Sequence, residues 1–154
     1  MGEKQERRAP APTVDEVIRF RRAEESGVPE LVVVEAHEKV GSAIDLLQQY
    51  GISQLPVVRT RPADAFTDVV GSLQERSLLD RVFRNPDALN EDVAVAMQPP
   101  LATVDAAASV DEVFAELTGS GGAVVVGRAG KPVAIITRSD LLEFLAAQRT
   151  HVDA

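Results

Sequence analysis

Two polar residues stand three positions apart in TRSDLL (residues 137–142), where an apolar run meets an amphipathic segment. Thr137 carries a hydroxyl and Asp140 a carboxylate, and a carboxylate accepts hydrogen bonds from vicinal hydroxyls such as those of a ribose. The same residue types also serve a structural purpose, because threonine caps helix N-termini and a carboxylate is stabilised in the first helical turn. Thr137 and Asp140 are therefore candidates for ribose binding, with helix capping as the alternative.

The stretch QERSLL (residues 74–79) occupies the same place in an earlier part of the chain. It keeps the two leucines of TRSDLL, but Gln74 and Ser77 stand where the threonine and the aspartate would be. A glutamine lacks the charge of a carboxylate, and a serine has a shorter reach. We therefore predict that the shared leucines are structural and that this second, degenerate cleft binds poorly or not at all.

The elements that must position these residues form an internal repeat. Apolar and glycine positions match at an offset of 70 residues, namely Val40 with Val110, Ile44 with Phe114, Leu47 with Leu117 and Gly51 with Gly121. Capping boxes begin helices at Thr13 and Ser109. The pattern further predicts helices over 40–51, 75–83 and 139–148, and strands over 31–34, 54–58, 68–73, 121–127 and 132–136. The chain is thus a duplicated α-β-β-α unit of α/β class, with clefts at the seam.

The composition narrows the function. The 154 residues carry a net charge of −8 and only 4% aromatic side chains, which argues against nucleic-acid binding. They include no cysteine, no apolar run long enough to span a membrane and no signal peptide, so we expect a cytoplasmic protein. His37 and His151 are isolated and no catalytic or metal-binding motif occurs, so we expect neither an enzyme nor a metal site.

Three stretches carry a resemblance to a known family: GISQLPVV (51–58), VVGSLQERSLL (69–79) and VAIITRSDLLEFL (133–145). They resemble a tandem pair of CBS domains, a Bateman module. The resemblance implies an α/β fold (α+β by some schemes) of two pseudo-symmetric β-α-β-β-α domains packed sheet to sheet. The boundaries that follow are a flexible arm over 1–12, a first domain with its leading helix over 13–89, a second domain over 90–148 and a tail over 149–154.

The same resemblance implies an adenosyl ligand and assigns its contacts. Thr137 and Asp140 match the ribose-holding pair of the family, and Ile135 and Ile136 match the apolar residues beside the adenine. The segment that covers the ligand from the other side matches Ile52, Ser53, Gln54 and Leu55. In relatives that bind S-adenosylmethionine, an acidic residue can occupy the position of Ser53 and an aromatic one that of Ile52, and this sequence departs at both.

More narrowly, residues 12–148 resemble the C-terminal regulatory region of a bacterial cystathionine β-synthase, whose pyridoxal-phosphate catalytic domain is absent from this chain. We therefore expect a homodimeric module that senses S-adenosylmethionine and controls that catalytic domain, since the acidic chain favours a cationic sulfonium. One alternative is a free-standing module that senses AMP or ATP, with Arg59, Arg76 and Arg138 as candidate phosphate ligands. Another is a ligand-free dimerisation module that pairs through helices 75–83 and 139–148.

Overall fold

The same order of strands and helices occurs twice along the chain. The computed structural model describes residues 11–24, 29–119 and 121–153, so most of the predicted N-terminal arm lies outside the described residues. The elements are α1 (Val14–Glu24), β1 (Val34–Glu35), α2 (Val40–Tyr50), β2 (Gln54–Val58), β3 (Val69–Gln74), α3 (Glu75–Arg84), α4 (Val93–Ala96), β4 (Ala102–Asp105), α5 (Val110–Thr118), β5 (Ala123–Arg128), β6 (Lys131–Thr137) and α6 (Arg138–Asp153). Within these ranges no helix has both the length and the apolar character that a membrane span needs.

Each unit contains one three-stranded sheet, β1-β2-β3 in the first unit and β4-β5-β6 in the second. In both sheets the first strand runs parallel to the middle strand, and the middle strand pairs antiparallel with the third. The duplication predicted from the sequence is therefore confirmed, and the chain has the predicted mixed α/β class.

Two strand predictions need correction at the sheet edges. Of the predicted strand over 31–34 only Val34 pairs with β2, because residues 31–33 lie along surface clefts instead. Strand β4 escaped prediction because its residues alternate between half-buried and exposed and include a threonine and an aspartate. Helix α6 is longer than predicted and continues to Asp153, through most of the segment assigned to a tail.

The leading helix α1 packs on the second unit, although it precedes the first unit along the chain. Val14, Val17 and Ile18 are buried in one cluster with residues of α5, β5, β6 and α6. The helix is also held at its N-terminus, where the Val14 N–H donates to the Ala108 carbonyl at 2.9 Å. Our grouping of α1 with the first domain followed chain order, whereas its apolar face completes the core of the second unit.

The two sheets face one another across the seam, as the sequence predicted. Alternate residues of a strand point to opposite faces, and both faces of β2 and β5 are buried. One face of each sheet contacts its own helices. On the other face of the second sheet, Val125 and Ile135 pack with Phe66, which belongs to the β2–β3 connection of the first unit. A Cβ on Gly127 would overlap the ring of Phe66, so a larger residue there would force that ring to move.

Candidate functional site

A cleft of about 470 Å³ lies at the seam and is lined by both units. This volume falls within the range of about 300–1,000 Å³ that small-molecule sites usually have. We call it the Asp140 cleft. It is lined by Arg21, Arg22, Pro29, Glu30, Val32, Tyr50, Gly51, Ile52, Ser53, Gln54, Gly122, Ile135, Thr137, Arg138, Ser139 and Asp140.

Thr137 and Asp140 form a reciprocal capping box at the start of α6. The Asp140 N–H donates to Thr137 Oγ1 at 3.3 Å, and the Thr137 N–H donates to Asp140 Oδ2 at 2.9 Å. Helix capping, the structural alternative for these residues, is therefore present. Both residues also line the cleft, so capping fixes their side chains where a ligand would meet them.

Arg21 of α1 is the residue that sequence reasoning missed. Its Nη1 donates to Asp140 Oδ2 at 2.8 Å and to the Ile135 carbonyl at 2.6 Å. Both charged side chains are largely buried, with 15% and 12% of their surface exposed. A signal existed in the sequence, because Arg21 follows Val14, Val17 and Ile18 at helical spacing, and a cation on a buried helix face requires a buried partner.

The carboxylate of Asp140 keeps capacity for a ligand. Within the described part of the chain, its observed hydrogen bonds with Thr137 and Arg21 both fall on Oδ2. A carboxylate has two oxygens and about four lone-pair positions. Oδ1 is therefore the atom that can accept hydrogen bonds from a bound hydroxyl.

The opposite side of the cleft follows the C-terminus of α2. Gly51 ends that helix in the left-handed region with φ 62°, a conformation that favours glycine. Ile52, Ser53 and Gln54 come next and line the cleft, and the Ser53 carbonyl accepts from the Glu75 N–H at 2.9 Å. The structure thus brings these three predicted residues opposite Thr137 and Asp140.

Two predicted site residues lie elsewhere. Ile136 is 0% exposed and belongs to the helix-side core of the second unit, while its neighbour Ile135 faces the seam. Leu55 is also 0% exposed and packs in the helix-side core of the first unit. The reason is the alternation of side chains along a strand, which places only every second residue on the cleft side.

The charge of the cleft differs from that of the chain. Three arginines and two carboxylates line it, which gives an excess of one positive charge in a chain of net charge −8. Arg21 and Arg22 pair with Asp140 and Glu30. Arg138 is exposed, and its Nη2 lies 2.9 Å from the position that a Cβ on Gly122 would occupy. Of the other two candidate phosphate ligands, Arg59 lies outside the lining and Arg76 lines a different cleft.

A family model for the CBS domain matches this chain twice, over residues 27–84 and 91–147. The chain belongs to the CBS-domain family. The two matched segments contain the two sheets, and the Asp140 cleft lies between the two CBS domains.

Solved CBS-domain structures share this fold. The CBS-pair protein CBSX2 from Arabidopsis thaliana is 20% identical, with a TM-score of 0.68 over 94% of this chain and 100% of that one. CBSX2 in complex with AMP gives 21% identity and a TM-score of 0.66 over 89% and 98%. A putative acetoin utilization protein (AcuB) from Vibrio cholerae gives 16% and 0.70 over 94% and 98%. At these identities the likeness establishes the fold, and the narrower resemblance to cystathionine β-synthase stays a prediction.

The first CBS domain has its own cleft, which we call the Ser77 cleft, beside its last strand and helix. Ser77 stands at the position of Asp140, and its hydroxyl accepts from Gln98 Nε2 at 2.8 Å. Ser77 and Gln98 line a cleft of about 620 Å³, whereas Gln74 lies outside that lining. No carboxylate replaces Asp140 at this position, and the serine hydroxyl is already bonded within the chain. Weak ligand binding at the Ser77 cleft stays a prediction, for which these contacts give a physical reason.

Proposed function

We propose that this CBS-domain pair is a regulatory module that binds an adenine nucleotide, AMP in the first place, in the Asp140 cleft. The observation that carries the proposal is a carboxylate that is held in place through one oxygen, with an exposed arginine in the same cleft. Asp140 is held by its cap and by Arg21, and Arg138 lies at the same cleft. A ribose and a phosphate are the ligand groups that such a pair of sites recognises.

The middle of the cleft suits a flat apolar base. Ile52 of the first domain and Ile135 of the second lie on its two sides, and Val32 and Tyr50 complete the apolar lining. Ligand sites of this kind are mostly apolar, with a few placed polar groups that fix orientation. A nucleoside bound with its ribose at Asp140 would place its base among these side chains.

The local charge favours a phosphate over a sulfonium. The resemblance and the acidity of the whole chain favour S-adenosylmethionine at the level of sequence. The groups nearest the ligand matter most, however, because salt screens charges that lie more than about 10 Å away. Arg138 would repel a sulfonium and attract a phosphate. The positions of Ile52 and Ser53 also lack the aromatic and acidic residues that the resemblance associates with S-adenosylmethionine. S-adenosylmethionine is therefore the second candidate.

The proposed mechanism is a population shift. A ligand that contacts both CBS domains and lies beside Arg21 binds one arrangement of the domains and α1 more tightly than others, and that difference is the regulatory free energy. The recipients we propose are a second copy of the chain and an attached or separate catalytic domain. Exposed apolar residues on α3 and α6 supply a surface for pairing, namely Leu79, Phe83, Leu142 and Leu145.

The proposal is tested by calorimetric titration of the chain with AMP, ATP, adenosine and S-adenosylmethionine. We expect AMP to bind more tightly than adenosine and than S-adenosylmethionine. Arg138→Gln should weaken AMP about tenfold or more and leave adenosine unchanged, since a charge-assisted hydrogen bond to phosphate is lost. Arg59→Gln, an exposed arginine outside the lining, is the matched control. Tighter binding of S-adenosylmethionine than of AMP would overturn the ligand assignment.

A further inference from the structure

Two buried side-chain atoms of the described residues have no hydrogen-bond partner, Arg21 Nη2 and Gln54 Oε1. Both side chains line the Asp140 cleft, one from α1 and the other from β2. Buried polar groups without a partner are rare, and each one in a folded protein calls for an explanation such as a water or a ligand. Both atoms belong to residues of one cleft, so a single ligand bound there could supply a partner to each.

Gln54 lies on the face of the first sheet that meets the second sheet. Its neighbour Leu55 points into the helix-side core, so strand alternation directs Gln54 the other way. Ile135 occupies the corresponding face of the second sheet. A base inserted between the sheets beside Ile135 would meet Gln54 at its edge, and Oε1 can be satisfied only by an N–H or O–H donor.

Arg21 lines the cleft beside Asp140 and Ile135. Its Nη1 is occupied by Asp140 Oδ2 and the Ile135 carbonyl. The guanidinium is a planar fork with donors in fixed directions, so the orientation of Nη1 also fixes that of Nη2. A group that binds beside Asp140 would therefore donate to the carboxylate and accept from Nη2. A hydroxyl can do both.

We propose that Arg21 and Gln54 determine which nucleotide the cleft accepts. Gln54 Oε1 accepts from the 6-amino group of adenine, and Arg21 Nη2 donates to the ribose hydroxyl that itself donates to Asp140. This inference rests on the proposed function and extends it to specificity residues outside the Thr137–Asp140 pair. It implies selection of a 6-aminopurine over a 6-oxopurine, whose oxygen is an acceptor, and of a ribonucleotide over a deoxynucleotide.

The test is a crossed calorimetric titration with AMP, inosine monophosphate, and the 2′-deoxy and 3′-deoxy forms of AMP. The wild-type chain should prefer AMP roughly tenfold or more over inosine monophosphate and over at least one deoxy form, because a site built for a hydrogen bond rejects analogues that leave it unpaired. Gln54→Met should remove the base preference and keep the sugar preference. Arg21→Lys keeps the charge beside Asp140, so it should keep the base preference and reduce the sugar preference to the part that Asp140 supplies.

Matched controls separate recognition from folding. Gln48→Met and Arg19→Lys make the same changes at exposed positions of α2 and α1, and both preferences should persist. Gln54→Met should be at least as stable to urea as the wild type without ligand, because it removes an unpaired buried carbonyl. If AMP binds but neither preference changes in the two variants, the inference is overturned while the proposed function stands. If AMP does not bind to the wild-type chain, both fail.

Discussion

Arg21 Nη1 lies 2.8 Å from Asp140 Oδ2, across a sequence separation of 119 residues. This ion pair joins the leading helix to the helix that begins at the last strand of the second CBS domain. It gives the carboxylate a structural task and leaves its second oxygen for a ligand. Under the proposed function, the position of α1 and the occupancy of the cleft would therefore depend on the same side chain.

Loss of the arginine should destabilise the fold as well as the site. Arg21→Met leaves the largely buried Asp140 carboxylate without its cation, and we expect a loss of about 1–3 kcal/mol in the free energy of unfolding. Urea unfolding measures it. Arg19→Met, at a mostly exposed position of the same helix that pairs with Asp15, should change stability by less than about 1 kcal/mol. Equal unfolding midpoints for the two variants would contradict a structural role for the ion pair.

The leading helix should stabilise the second CBS domain specifically. Ile18 is 1% exposed and contacts the core of that domain, so Ile18→Ala should cost about 2–5 kcal/mol through the cavity it leaves. Hydrogen exchange measured by segment should show that Ile18→Ala, compared with the wild type, accelerates exchange more in β5 and β6 than in β2 and β3. Greater loss of protection in the first domain would show that α1 is assigned to the wrong core.

A glycine in β3 allows the first residues of the second CBS domain to approach the first sheet. A Cβ on Gly71 would lie 2.5 Å from Met97 Sδ and 2.9 Å from the Gln98 carbonyl oxygen, and the backbone atom cannot move away easily. Gly71→Ala should therefore destabilise the chain by about 1–3 kcal/mol.

The control for this substitution is Gly41→Ala in α2, where a Cβ would have an ordinary contact distance of 3.4 Å to the Leu89 carbonyl oxygen. Alanine is favoured over glycine inside a helix by about 0.5–1 kcal/mol, so this variant should be neutral or more stable in thermal unfolding. Similar losses at both glycines would contradict the close approach at Gly71.

Glu35 anchors the β2–β3 connection and should make stability depend on pH. The Arg61 N–H and the His37 side chain bond to this carboxylate and lower its pKa below the ordinary value. A lowered pKa in the folded state contributes stability that is fully present above the ordinary carboxyl pKa and is lost as the pH falls through the lowered value. The wild type should thus be more stable than Glu35→Gln at pH 7, and the difference should shrink as the pH falls below the ordinary carboxyl pKa and through the lowered one. A difference that is constant with pH would contradict this role.

The sequence was sufficient for most of the architecture because the repeat is local. Helix caps at Thr13 and Ser109, the glycine that ends α2 and the continuous apolar run of β2 are all encoded within a few residues. It also indicated the Asp140 cleft, because the two CBS domains differ at that position. Strand β4 was not recoverable, since its short polar segment gains its place only by pairing with β5.

The site itself was predicted less completely, because its contacts are long-range. Resemblance assigned Ile136 and Leu55 to the ligand, but strand alternation places both in helix-side cores. Arg21 lies outside the motif and reaches the cleft only because α1 packs on the second domain. The excess of positive charge at the cleft likewise could not be inferred from a net charge of −8, because that number sums over the whole chain.

The central claim is that Asp140 serves as a ligand receptor in addition to a helix cap, and two variants test it directly. Asp140→Ala and Glu112→Ala each remove the carboxylate of a capping box, at α6 and α5 respectively, but only Asp140 lines the cleft. In calorimetric titration with AMP, Asp140→Ala should lose about 1.5–3 kcal/mol of binding free energy, and Glu112→Ala should bind as the wild type does. Unchanged AMP binding by Asp140→Ala, or an equal loss in both variants, would contradict the account.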